Sequence, residues 1–223
     1  MGLHGFAQKM PMAVTEKSEQ AVTFSLQANE ETKKMYPFDF TFRVSYALQG
    51  NRIAVTFDVT NNGSGDMPYS VGGHPGFRVP LGDAGRFEDC YLDFGEKCAP
   101  EMFLLSPTCF LSGETAPFKL RCGKRLDLRH DLFDNDAIFL KDAAKSVSIK
   151  SRACKKSVTV EYPSMDYVGF WHADHTDAPF VCIEPWNGLP GTDGHVDDFS
   201  DKRAMRHLAG GQSETSGFSI LIQ

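Results

Sequence analysis

The chain has 223 residues, of which 41% are hydrophobic and 23% charged, with 18 phenylalanines and a formal net charge of −6. That profile excludes a disordered chain, and the length suffices to bury a sizeable aromatic-rich core. Lys and Arg are scattered without a basic cluster, which argues against a phosphate-tracking surface for nucleic acid, and no run approaches the roughly 18 apolar residues of a membrane helix; the expected partner is small or neutral.

The opening "MGLHGFAQKM" lacks the apolar core of a signal peptide, so a cytoplasmic protein is expected. The first strong strand signal is "FDFTFRVSYAL", where Phe38, Phe40, Phe42, Val44, Tyr46 and Leu48 alternate with polar residues. After the "QGN" turn, "RIAVTFDVTN" repeats the period with Ile53, Val55, Phe57 and Val59, which predicts an antiparallel hairpin closed by the loop "NNGSGD". Further short strand candidates are "AVTFSLQ" ahead of this hairpin and "YLDF", "FKLR", "RLDL", "DAIFL", "SVSIK", "SVTVEY", "VGFWH", "PFVCIE" and "GFSILI" after it. This density of strands predicts a sandwich. The best helical candidate, "DDFSDKRAMRHLAG", is short and polar and is expected to form no more than a turn or two. No repeat, low-complexity tract or long linker breaks the chain, so residues 1–223 read as one domain. The six cysteines show no C-x-x-C spacing and read as reduced thiols filling strand positions, not as a zinc site.

Two stretches carry candidate chemistry. In "GGHPGF", Pro75 pushes His74 toward extended backbone, while Gly72, Gly73 and Gly76 allow close approach around it. The imidazole is then either aimed at a ligand or satisfied by a neighbouring carbonyl in a tight loop. In "APFVCIEPWNG", an apolar strand runs into Glu184, which by alternation shares a face with Phe180 and Cys182. Either the carboxylate is buried, and then needs a partner or a raised pKa, or the strand ends there and it is solvated. Trp186 offers an apolar platform for a sugar ring. Asp136, ahead of "AIFL", could accept hydroxyl hydrogen bonds or make a local turn, and His4 alone carries little weight at the start of the chain. "WHADHTD" offers His172, Asp174, His175 and Asp177, in a spacing that matches no metal motif and reads as a solvated loop. No P-loop, G-x-S-x-G or dinucleotide fingerprint is present.

Taken in order, "HGF", "YPFDFTFRVSYAL", "MPYSVGGHPGF", "DNDAIFL" and "FVCIEPWNG" resemble the aldose 1-epimerase (galactose mutarotase-like) family over nearly the whole chain, with "GGHPGF" and "CIEPW" typical of a divergent branch. The resemblance implies an all-β fold, a large antiparallel β-sandwich of the galactose mutarotase-like supersandwich type with the sugar in an open groove on one sheet. It implies interconversion of the α and β anomers of a hexose, with Glu184 as base and His74 as acid, exchanging roles on ring closure. His4 and Asp136 match the family's ligand-holding histidine and aspartate, and Phe77 and Trp186 would flank the ring. No cofactor, metal or covalent intermediate is called for. Members carry several strands before the "HG" motif, including a sugar-contacting arginine, so the sandwich is expected to lack its first strands, and an open edge would favour homo-oligomers. The rival expectations are a non-catalytic carbohydrate-binding protein, in which the groove binds sugar with the acid–base pair misplaced, and an inactive truncated remnant.

Overall fold

The computed structural model describes residues 2, 4–83 and 85–223. Among the described residues the secondary structure is almost entirely strand. In chain order these are β1 (Ala13–Lys17), β2 (Ala21–Gln27), β3 (Phe40–Gln49), β4 (Arg52–Asn61), β5 (Met67–Tyr69), β6 (Gly76–Arg78), β7 (Cys90–Asp93), β8 (Glu101–Leu105) and β9 (Leu111–Pro117). They continue with β10 (Arg125–Asp127), β11 (Ile138–Lys141), β12 (Ser146–Ser151), β13 (Ser157–Glu161), β14 (Tyr167–Trp171), β15 (Phe180–Trp186), β16 (Arg206–Leu208) and β17 (Ser213–Ile222). A one-turn helix, α1 (Glu30–Lys33), starts where the Asn29 side chain accepts from the backbone N–H groups of Glu31 and Thr32.

The strands form an antiparallel sandwich: a nine-stranded sheet ordered β1-β2-β3-β4-β17-β13-β12-β7-β10 and a six-stranded sheet ordered β6-β15-β14-β11-β8-β9, with β16 and β5 paired separately. The predicted hairpin is β3 and β4, turning at Gly50 with φ 61°. Its register sets Phe42, Val44 and Tyr46 opposite Val59, Phe57 and Val55, so both apolar sets lie on one face. The main core lies between the sheets: Val55, Phe57, Leu92, Ile149, Val160 and Phe218 come from the large sheet, and Leu140, Val168, Phe170, Val181 and Ile183 from the smaller. A second apolar cluster, Phe103, Leu111, Phe139 and Leu189 with Tyr167 and Trp186, forms on the outer face of the six-stranded sheet. The smaller sheet is therefore apolar on both sides at its centre, which is why β15 and β11 read as near-continuous apolar runs.

Three local expectations need correction. "FKLR" is not a strand; after Phe118 the chain turns through Gly123 at φ 74°, and only the isolated Arg121–Arg125 bridge links it to β10. The paired strands β8 and β9 carry no alternation in "EMFLL" or "LSGETAP" and were not anticipated. The polar "DDFSDKRAMRHLAG" stretch forms turns and then β16, because no apolar stripe of helical period gives a helix a face to bury. The six cysteines are all free thiols, and among the described residues no helix is long and apolar enough to cross a membrane.

Phe170, fully buried and edge-on to Phe94 at 5.8 Å between centroids, joins the two sheets directly behind β15. Replacing Phe170 with Ala should destabilise the fold by about 3–5 kcal/mol in urea denaturation, whereas a loss below about 1 kcal/mol would place the main core elsewhere.

Candidate active site

The site is built on β15 and the segment beside it. Val181 and Ile183 point into the main core, so the pleat sends Phe180, Cys182, Glu184 and Trp186 to the opposite face. β15 does not end at the carboxylate; it continues to Trp186, and Glu184 is only 3% exposed. The edge strand β6 pairs Gly76 with Cys182 and Phe77 with Val181, and Gly72 bridges Trp186 in the same antiparallel sense. One unbroken register thus runs from residue 72 to residue 78 and sets His74 directly opposite Glu184.

The hydrogen bonds explain the spacing. Gly73 N–H donates to Pro185 O at 2.9 Å and Ile183 N–H donates to Pro75 O at 3.2 Å. These bonds bracket His74 and Glu184, making them a non-hydrogen-bonded pair of the ladder, the kind whose side chains stand closest. Each bracketing pair makes one bond and not two, because Pro75 and Pro185 have no N–H to return. The two prolines thus thin the ladder on either side of the catalytic candidates without shifting the register. Val71 and Asn187 close the segment, with Val71 N–H donating to Asn187 Oδ1 at 2.8 Å and Asn187 N–H to Val71 O at 3.1 Å. Gly73 is required by close approach, since a Cβ there would stand 2.4 Å from the Phe218 ring.

His74 Nδ1 lies 3.3 Å from Glu184 Oε1, yet the contact is out of line, and Oε1 is buried without a hydrogen-bond partner. Proximity favours the ion pair; burial favours the neutral pair. Burial prevails because nothing donates to the carboxyl oxygen that would carry the charge. Desolvation, helped by the negative charge of Asp136, pushes the Glu184 carboxyl up to about 8. Desolvation and then the His4 ring lower His74 below its ordinary value. The resting pair therefore holds one proton near neutrality, on the carboxyl.

The other expected residues distribute as follows. His4, left-handed at φ 63°, sets its ring edge-on to His74 with centroids 5.2 Å apart. Asp136, left-handed at φ 74° just before β11, is near enough to act on Glu184 and to raise the thiol of Cys109 by hydrogen bonding. Trp186 lies over two glycines: Cβ atoms at Gly72 and Gly169 would meet its ring at 2.4 and 2.8 Å, and Phe139 packs on it at 4.9 Å. Because Gly169 pairs with Glu184, the indole floors the face beside the carboxyl. Phe77 is a correction: it is opposite Val181 and packs on the main core, on the far side of the sheet from Glu184. In its place stands Trp171, unremarked in the sequence, opposite Cys182 and 5.9 Å from the His74 ring; the two-residue period of "VGFWH", with Gly169 and Trp171 on one face, is the signal that finds it. "WHADHTD" is not wholly solvated, since His172 is fully buried. Its Nδ1 lies 3.0 Å from Phe180 O, and its Nε2 lies 2.9 Å from His130 Nδ1 and 3.1 Å from Thr176 O. A separate shallow cleft lined by Phe94, Lys145 and Glu161 lies away from this cluster and holds no unpartnered buried group.

The family profile described as aldose 1-epimerase matches residues 1–197. The chain is 37% identical over 191 residues to the chromosomal protein LacX of Lactococcus lactis subsp. lactis, an alignment covering 83% of this chain and 63% of LacX. It therefore spans somewhat under two thirds of the length of the curated relatives it matches. Among solved structures it superposes on a galactose mutarotase related enzyme from Lactobacillus acidophilus with a TM-score of 0.92 and 32% identity, over 100% of this chain and 74% of that one. A galactose mutarotase-like protein from Lactobacillus casei gives a TM-score of 0.90 and 30% identity, over 100% and 76% of the two chains.

A carboxyl at about 8 in the fold and near 4.5 when unfolded keeps its proton longer in the native state. Its contribution is complete below about 4.5 and is lost as pH rises to 8, by at most about 5 kcal/mol. Glu184→Gln, neutral throughout, should therefore gain stability over wild type between pH 5 and pH 9 in urea denaturation; parallel pH profiles would show that Glu184 is not a buried neutral acid.

Proposed function

Because the chain belongs to the aldose 1-epimerase family, we propose that it interconverts the α and β anomers of a hexose, with Glu184 and His74 as the pair that moves protons. The family implies a sugar ligand. The observation that carries the finer reading is the cross-strand juxtaposition of an unpartnered, buried carboxyl and an imidazole 3.3 Å apart on an open face floored by Trp186.

Opening a pyranose requires removal of the proton on the anomeric hydroxyl and delivery of one to the ring oxygen, after which the C1–O5 bond breaks. Rotation about C1–C2 presents the other face of the carbonyl, and closure reverses both transfers. In this reading Glu184 carboxylate takes the anomeric proton and His74 imidazolium protonates the ring oxygen. That working form has the same proton count as the resting form; it is reached by moving one proton from Glu184 to His74. Hydroxyls of a bound sugar supply the donors that the carboxyl lacks in the free protein, which favours the ionised tautomer. In this reading Trp186 and Trp171 offer apolar surface to the ring face, and Asp136 accepts sugar hydroxyls while its negative charge discourages premature ionisation of Glu184. Proton transfer of this kind contributes about 10²- to 10⁴-fold.

The reading predicts that the protein speeds the approach of freshly dissolved α-D-glucose or α-D-galactose to anomeric equilibrium in polarimetry. Glu184→Gln and His74→Asn should each lose about 100-fold or more. The kcat/KM profile should be bell-shaped, falling on the acid side below the ordinary histidine value and on the alkaline side near 8, because both limbs report the one-proton pair. Sugar binding with no acceleration over buffer in folded protein would identify a carbohydrate-binding protein instead.

A further inference from the structure

Three side chains of different chemistry converge beside the proposed proton-transfer pair: His74, Cys182 and Glu184 bring an imidazole nitrogen, a sulfur and a carboxylate oxygen within 4.8 Å of one another. Cys182 is buried, lies two residues from Glu184 on the same face of β15, and is opposite Gly76. Anomer exchange uses only two proton carriers and leaves the thiol without a task.

The His74 to Glu184 distance is informative. At 3.3 Å the two atoms are close, but the geometry leaves Oε1 without a hydrogen bond. Two ligands about 2.0–2.1 Å from a tetrahedral zinc ion stand about 3.3 Å apart, and a sulfur at 2.3 Å stands about 3.6 Å from each. The nitrogen and oxygen are thus already at ligand separation, and the sulfur must close by at most about 1.2 Å, within the reach of a side-chain rotation. The Glu184 side chain is 4% exposed, and its Oε1 has no hydrogen-bond partner. A thiolate, an imidazole and a carboxylate together suit a borderline-soft divalent ion and discriminate against magnesium and calcium, which prefer all-oxygen shells. His74, on the edge segment and partly exposed, leaves a fourth position open toward the solvent face, as in zinc sites that keep a water.

We propose that His74, Cys182 and Glu184 form a three-ligand site for Zn²⁺ and that its occupation blocks anomer exchange by tying up both proton carriers. The blocking rests on the sugar reading above; the binding does not. Bound zinc displaces two protons to solvent, one from the Cys182 thiol and the one held by the His74–Glu184 pair, and leaves thiolate, carboxylate and neutral imidazole as ligands, so sugar and metal exclude one another.

Co²⁺ added to the metal-free full chain reports the site directly through thiolate-to-cobalt charge-transfer absorption, which no carboxylate or imidazole alone produces. One equivalent should develop the band, and Zn²⁺ should bleach it. Cys182→Ser should abolish it, Glu184→Gln should weaken binding beyond the roughly 10- to 100-fold typical of losing an outer partner, and Cys109→Ser should leave it intact. Glu184→Gln keeps the test decisive if Cys182→Ser does not fold. Absence of the band in folded wild type, or its persistence in Cys182→Ser, overturns the proposal. A wild type that shows the band yet exchanges no anomers upholds the metal site and defeats the sugar reading; one that exchanges anomers without the band does the reverse.

Discussion

The geometry of the site depends on one constraint, the antiparallel register that holds residues 71–78 against β15 and sets His74 opposite Glu184. A slip of one residue would exchange the two faces of the edge segment, turning the imidazole into the core and Phe77 out. Several devices hold the register. Gly73 presses backbone against the Phe218 ring, Phe77 anchors on the core side, and Val71 and Asn187 bond reciprocally at the far end. Pro75 and Pro185 remove ladder bonds that a regular edge would make, yet the bonds that remain are the two that bracket the pair. The imidazole is thus placed by a sheet and not by a loop, which holds it more rigidly than a turn would.

The same strand explains why a carboxyl can be buried there. Leaving a polar atom buried and unpaired costs about 1–3 kcal/mol, and β15 can bear this because its opposite face contributes fully buried Val181 and Ile183 to the main core. The neutral form lowers the cost further, since the penalty for a buried charge falls away when the proton stays on. Burial and protonation are therefore coupled: the surroundings that bury the Glu184 carboxyl also keep its proton on. The negative charge of Asp136 adds to this by further disfavouring ionisation of the carboxyl.

Much of this architecture was legible from the residues. The two-residue period located β3 and β4, short strand-like runs bounded by turn residues located β2, β12, β13, β14 and most of β15, and alternation alone put Glu184 and Cys182 on one face. What was not legible depended on partners distant in sequence. β8 and β9 have no clean period, because their environment is set by β11 and by the 191–193 segment that bonds to Leu111. Phe77, which the resemblance sets beside the ring, stands three residues from His74 along an extended chain and therefore on the opposite face. Trp171 shares a face with Gly169 by the period of its own strand, but the pairing with Cys182 is what brings that face to the site.

The two histidines flanking this region show why residue type alone could not settle roles. His172 is fully buried, yet its Nδ1 has the Phe180 carbonyl and its Nε2 has His130, while Phe133 and Phe180 pack edge-on to its ring. Both nitrogens are committed, so the ring serves as a bolt between the 172–178 loop and the strand that carries Glu184. His74 is more exposed, but its Nδ1 faces an oxygen it does not bond. An imidazole whose nitrogens are both engaged holds structure, whereas His74 is partly exposed and stands beside a carboxyl oxygen to which nothing donates. By that criterion the more buried histidine acts by fixing the strand that carries Glu184, and the less buried one is the histidine of the proposed proton-transfer pair.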